Sequence, residues 1–216
     1  MTHQKLPLFP LHTVMYPGAP LTLHIFEERY KEMLGRCIEQ NTPFGVVLIR
    51  EGSEVGEPAN PYDVGTMVQI NASVRLEDGR ILIATIGQRR FRIQYMLQTM
   101  PYLVASVAML PEESGAELAQ ASERLRAIHD EYWQAVRAAT GSTPDVEALP
   151  PDIVAMSYHL AHRLQVPNER KQHWLEVSVT QRVREISTML RAEIALLPRP
   201  GDERTSGPNN IPWSWN

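Results

Sequence analysis

"VGTMVQINASVRLEDGRILIAT", residues 64–85, sets two apolar runs around an Asp-Gly pair. Val68, Ile70, Ala72, Val74 and Leu76 alternate with mostly polar neighbours, the period of a strand with one wetted face. Asp78-Gly79 precedes Ile81–Thr85, and this dipeptide suits a two-residue hairpin turn because both central residues take positive φ. Residues 65–76 and 80–86 are therefore predicted to pair as an antiparallel hairpin. Further short β-type runs fall at 21–25, 44–50, 89–97 and 102–110, with turn residues between them.

One helix interrupts this region, predicted over residues 27–40. Tyr30, Met33, Leu34, Cys37 and Ile38 recur at three- and four-residue spacing and form one apolar stripe. Glu27 and Glu28 stand in the first turn, where carboxylates complement the positive end of the helix dipole. Upstream, "LPLFPLHTVMYPG" (6–18) reads as a proline-broken strand, because proline donates no ladder hydrogen bond and survives at edges and strand ends. An edge of that kind would be open to pairing with another chain. Tyr16-Pro17-Gly18 reads as a tight turn. The prolines also break every apolar run a secretory leader would need, so the stretch is expected to belong to the mature fold.

Near residue 111 the pattern changes from short strands to helices. Leu118, Ala121, Leu125, Ile128, Tyr132 and Val136 mark one helix, ended by Gly141-Ser142-Thr143-Pro144. A second runs from about 151 to 164 with Ile153, Ser157, Leu160, Ala161 and Leu164 inward. A third begins near Asn168, read as an N-cap, and contains Trp174 and Leu175. The fourth opens at Ser178, with Ser178 and Gln181 at capping-box spacing, and Pro198 stops it. Strands segregated from helices give an α+β chain in two parts, 1–111 β-rich with one helix and 112–197 a helical bundle. Residues 198–216 lack periodicity and read as a Pro-rich tail. Its Trp213 and Trp215 would expose large apolar area, so it is read as a flexible tail or as a segment that docks on its own fold or on a second copy, favouring self-association.

The composition narrows the function. The chain has 216 residues, 21 basic against 25 acidic groups and a net charge of -4, so no strong field draws nucleic acid or an anionic membrane. The single cysteine, Cys37, excludes an intramolecular disulfide and a Cys-rich zinc site, which favours a reducing compartment, the cytoplasm by default. No apolar run approaches the ~18 residues of a membrane span.

No constellation of catalytic residues stands out. His159 and His162 lie three apart on a helix, but no HExxH and no nearby Cys completes a metal set. The loop Gly52–Gly56 lacks GK[ST] and cannot cradle phosphate. Arg89, Arg90 and Arg92 flank Phe91 as in some nucleic-acid grips, but without a wider basic excess the preferred reading is a strand with outward arginines and Phe91 in the core. Catalytic, cofactor and metal sites are therefore all expected to be absent.

In order along the chain, LPLFPL, YPG, LTLHIFEERYKEML, FGVVLIREGSEVG, VGTMVQI, LEDGR, GQRRFRI, PYLVASV, ALPPDIVAMSYHLAHRL and RLRAEIALL resemble the N-terminal domain of Lon proteases, over about residues 5–197. The resemblance implies a PUA-like β-rich pseudobarrel followed by a helical bundle, and recognition of substrate or partner proteins. The sequence ends at Asn216 with no GxxxxGK[ST], so the resemblance implies a free-standing substrate-binding domain without ATPase or Ser-Lys peptidase. Protein or peptide clients are the expected partners, with RNA or a small ligand on the PUA-like face as the alternative. Tyr16, Phe26 and Tyr30 are the candidate peptide-binding residues, gathered in a groove between the opening strand and the first helix, because HIFEERY sets two aromatics across a strand-to-helix junction; the alternative, which the need to cover the helix's apolar face favours, is that all three are core.

Overall fold

A computed structural model describes residues 3–54, 56, 59–113 and 117–198. The chain divides into two compact units, Met1–Pro111 with Pro167–Glu176, and Glu112–Val166 with Val177–Asn216. The first unit holds β1 (His3–Leu11), β2 (Pro20–Ile25), α1 (Glu28–Gln40), β3 (Phe44–Glu51), β4 (Asn60–Pro61), β5 (Val64–Arg75), β6 (Ile81–Gln98), β7 (Leu103–Met109) and α4 (Asn168–Glu176). The second holds α2 (Glu117–Thr140), α3 (Ile153–Arg163) and α5 (Val179–Leu196).

In the first unit the sheet runs β1-β7-β6-β5-β3-β4, and an additional parallel pairing of β1 with β3 closes the path on itself. The proline-rich opening is therefore paired along its whole length, yet among the described residues each half keeps one open side. Its ladder to β7 covers His3–Leu8 and its ladder to β3 covers Leu8–Leu11, so the strand changes partner at Leu8. Pro7 and Pro10 each sit in a half laddered on one side only, the kind of position in which a strand tolerates a residue without an N–H. Leu6, Leu8, Val47, Phe91, Leu103, Ala105 and Val107 fill the interior. Gly45 and Gly65 let Phe91 in: a Cβ on either would lie 2.7–2.8 Å from its ring.

The hairpin forms at Asp78-Gly79, but not as the two-residue turn expected: Gly79 alone takes positive φ, 81°, its N–H donates to the Leu76 carbonyl and the Leu76 N–H donates to the Arg80 carbonyl, which leaves Glu77, Asp78 and Gly79 as a three-residue loop. The two runs after it are a single 18-residue strand, β6, which crosses the unit from β2 to β7. Tyr16-Pro17-Gly18 is a turn, with Gly18 at φ 79° and the Ala19 N–H donating to the Tyr16 carbonyl.

The third predicted helix, α4, departs from the two-part reading, since it clusters with the sheet. Gln172 donates to the Val64 carbonyl of β5 at 3.0 Å, and Asn168, expected to cap the helix, instead donates to the His12 carbonyl at 2.6 Å. In the second unit α5 packs on both α2 and α3. Ser178 caps α5 by accepting from the Gln181 N–H, and Asp152 caps α3 by accepting from the Ala155 N–H. Arg182 is fully buried beside α3, its guanidinium 3.8 Å over the Tyr158 ring and its Nε donating to Ser157 Oγ at 2.9 Å.

Candidate functional site

The three aromatics expected to line a groove are separated by burial. Tyr16 is wholly enclosed and its hydroxyl donates to the Lys171 carbonyl of α4 at 2.7 Å. Tyr30 is buried on the α1 stripe, stacked on Phe9 with centroids 4.2 Å apart, and burial raises its phenol pKa. Phe26 alone is exposed, at 54%. The groove therefore does not form, because the helix stripe that begins at Tyr30 has to be covered and Tyr16 anchors the loop between β1 and β2.

An apolar surface forms elsewhere, on the hairpin, and a β-bulge makes it. In the β5–β6 ladder Ile70 faces Thr85 and Ala72 faces Ala84, which leaves Asn71 as an extra residue in β5. One inserted residue reverses the inward and outward phase of everything beyond it. Val68 is buried as the alternation predicts, but Ala72 and Val74, the continuation of the same row, turn to solvent. There they join the outward residues of β6 and β2 in three cross-strand rows: His24–Leu82–Val74, Thr22–Ala84–Ala72 and Pro20–Ile86–Gln69. Val74 is 56% exposed, Leu82 39% and Ile86 37%. Phe26 follows the end of β2.

The rows contain no Asp, Glu, Lys or Arg. Nearby charges are paired among themselves, Arg80 with Asp78 at 2.6 Å and Lys31 with Glu28 at 2.8 Å. The hydrogen bonds from Arg80 hold the Asp78 carboxyl below the usual carboxylate range. The one titratable side chain in the rows is His24, at the end of its row. Such a surface suits apolar side chains brought to it in rows, each gaining about 25 cal/mol per Å² removed from water. The sequence carried one signal for it: in ILIATI both alternating sets are apolar, Ile81 and Ile83 on one face, Leu82, Ala84 and Ile86 on the other. A strand apolar on both faces is either sandwiched or leaves one sticky face in water.

Other candidates are absorbed into the fold. Cys37 is buried and burial pushes its thiol pKa up, which keeps it protonated and unreactive. Arg90 is buried and donates to the carbonyls of Leu175 at 2.8 Å and Pro111 at 3.4 Å, so the arginine cluster around the core residue Phe91 is split. His159 lies 4.0 Å from Glu147, and among the described residues no group of three or more His, Cys, Asp or Glu is placed to hold a metal. Also among them, no helix is long and apolar enough to cross a membrane. Tyr95, Met96, Leu97 and Met100 form a second exposed apolar group where β6 ends. Trp213 and Trp215, with the tail-docking expectation, lie outside the described residues.

The family profile described as "ATP-dependent protease La (LON) substrate-binding domain" matches residues 5–192. Lon protease 2 of Myxococcus xanthus is 24% identical over 94% of this chain and 26% of its own length. The chain thus spans about a quarter of the length of the curated relatives it matches. A crystal structure of a Lon N-terminal domain protein from Xanthomonas campestris has the same fold, with TM-score 0.62, 24% identity and coverage of 90% of this chain and 99% of that one. The N-terminal domain of Mycobacterium avium complex Lon protease superposes with TM-score 0.62 at 17% identity, over 87% and 98% of the two chains.

Proposed function

Because the chain belongs to the family of ATP-dependent protease La (LON) substrate-binding domains, we propose that it is a non-catalytic recognition module of PUA-like form. It holds apolar stretches of other proteins on the outward face of β2, β6 and β5, in the cytoplasm, without cutting them. The observation that carries this reading is the bulge-made row of Ala72 and Val74 beside Leu82, Ala84 and Ile86, apolar and in water. A net charge of -4 and the engagement of Arg90 with backbone carbonyls favour protein over nucleic acid as the ligand.

The test is binding of a reduced, carboxymethylated protein, followed by fluorescence anisotropy, to wild type and to the double variant Leu82→Ser, Val74→Ser. Both side chains are partly covered already, so each contributes about 1 kcal/mol on docking, and losing both weakens binding roughly thirtyfold. Equal affinities at equal melting temperature would remove this face from the function. Cleavage of the bound protein by the purified chain would remove the non-catalytic part of the reading.

A further inference from the structure

We propose that the client segment docks by adding a strand to the outer edge of β2, so that its backbone as well as its side chains is held; this rests on the reading that the β2–β6–β5 face holds polypeptide. Among the described residues β2 pairs with β6 alone, over Pro20–Ile25 and without a register shift. In an antiparallel pair only alternate residues direct their backbone groups at the partner. The Gly87 N–H donates to the Ala19 carbonyl, which fixes the phase. Bonded pairs recur at Leu21, Leu23 and Ile25, so the N–H and C=O groups of Thr22 and His24, with the Pro20 carbonyl, point away from β6.

Nothing in PLTLHI guards that edge. Open edges in stable proteins are blunted by lysines, inward charges or bulges, and β2 has none of these, only Pro20 at its first position. The edge also borders the apolar rows directly, since Thr22 and His24 head two of them. An added strand would therefore present alternate side chains to the same face as Leu82 and Val74. Backbone pairing reads no side chain, so the chemistry selected is an extended segment of about six residues with apolar groups at every second position, in varied sequence. Such segments are exposed by unfolded proteins and hidden by folded ones.

The test uses a fluorescein-labelled peptide in which leucine and valine alternate with serine, and the same peptide N-methylated through its centre. It is measured against the full chain and the variants Thr22→Pro, Thr22→Val and Leu82→Ser, with melting temperatures and sedimentation of each. Thr22→Pro removes an outward N–H that the β6 ladder does not use. The expected result is a loss of tenfold or more for Thr22→Pro and for the N-methylated peptide, with Thr22→Val within threefold of wild type. If Leu82→Ser weakens binding but Thr22→Pro and N-methylation do not, the face reading stands and strand addition is overturned. If none of them weakens it, both fall. A free chain that sediments as a dimer, returned to monomer by Thr22→Pro with no effect on peptide affinity, would assign the edge to a second copy and overturn the proposal. Should Thr22→Pro fail to fold, the N-methylated peptide decides alone.

Discussion

Gly87→Ala offers the sharpest check on how β2 is held. Gly87 is where β6 passes beneath the β1–β2 turn, and a Cβ built there would lie 2.1 Å from the Tyr16 carbonyl oxygen and 2.9 Å from its carbon. Neither atom is free to retreat. The Tyr16 carbonyl accepts from the Ala19 N–H, the Tyr16 hydroxyl is tied to the Lys171 carbonyl, and the neighbouring Met15 carbonyl accepts from Thr66 Oγ1 at 2.6 Å. Relief requires a backbone shift of about 1 Å, at an overpacking cost of about 1–3 kcal/mol. The same shift strains the bonds from Gly18 N–H to the Gly87 carbonyl and from Gly87 N–H to the Ala19 carbonyl, together about 1 kcal/mol. A total near 3 kcal/mol lowers the melting temperature by roughly 6–12 °C in a chain of this size. Gly35→Ala is the control: it lies inside α1 with nothing within 4 Å of the added Cβ, so it should stabilise by about 0.5–1 kcal/mol. Calorimetric melts of both variants decide the matter. A Gly87→Ala midpoint within 2 °C of wild type, or one above that of Gly35→Ala, would refute the argument.

In the second unit, Arg182→Ala removes the stack on Tyr158 and the bond to Ser157 and should cost about 2–4 kcal/mol in urea melts; Arg182→Met keeps most of the volume and should cost clearly less, an order that equal midpoints would contradict. Burial lowers the pKa of both His129 and His159, and His129 Nε2 accepts from the Trp133 indole N–H at 3.0 Å, a bond that needs the neutral ring. The unfolded chain therefore takes up these protons first, so their contribution is intact above the ordinary histidine pKa near 6.5 and is lost as pH falls below it. Stability measured between pH 7 and pH 5 should decline, and should decline less steeply in the double variant His129→Gln, His159→Gln; an unchanged slope would show that other groups carry it.

What the sequence made legible was local. The turn at Gly79, the stripe from Tyr30 to Cys37 and the cap at Ser178 depend on residues within a few positions of one another, and all three formed. What it hid was long-range. Pro7 and Pro10 marked the open sides of β1, but nothing nearby says that the strand exchanges β7 for β3 at Leu8. Whether Tyr16 lined a groove or lay in the core stayed open, because the carbonyl that takes its hydroxyl belongs to Lys171, 155 positions away. The apolar face escaped for a different reason: alternation counts residues, and a single unpaired residue defeats the count.

That last point has its own test, deletion of Asn71. The present ladder sets Ile70 against Thr85 and Ala72 against Ala84, so removing Asn71 leaves every other pair in register and only takes out the bulge. Val74 stays opposite Leu82 and stays outward. Were β5 a regular strand with Ala72 and Val74 inward, the same deletion would throw both to the opposite face and strip the interior of two apolar groups, at several kcal/mol. The expected outcome is a variant that folds with a melting temperature within about 5 °C of wild type. In both backgrounds Val74→Cys should react with a maleimide at least a hundredfold faster than Cys37, whose thiol is buried and protonated. Slow labelling at position 74 in the full-length chain, or a deletion variant that does not fold, would mean that Asn71 is not the residue that turns the row outward, and the docking face would lose its structural origin.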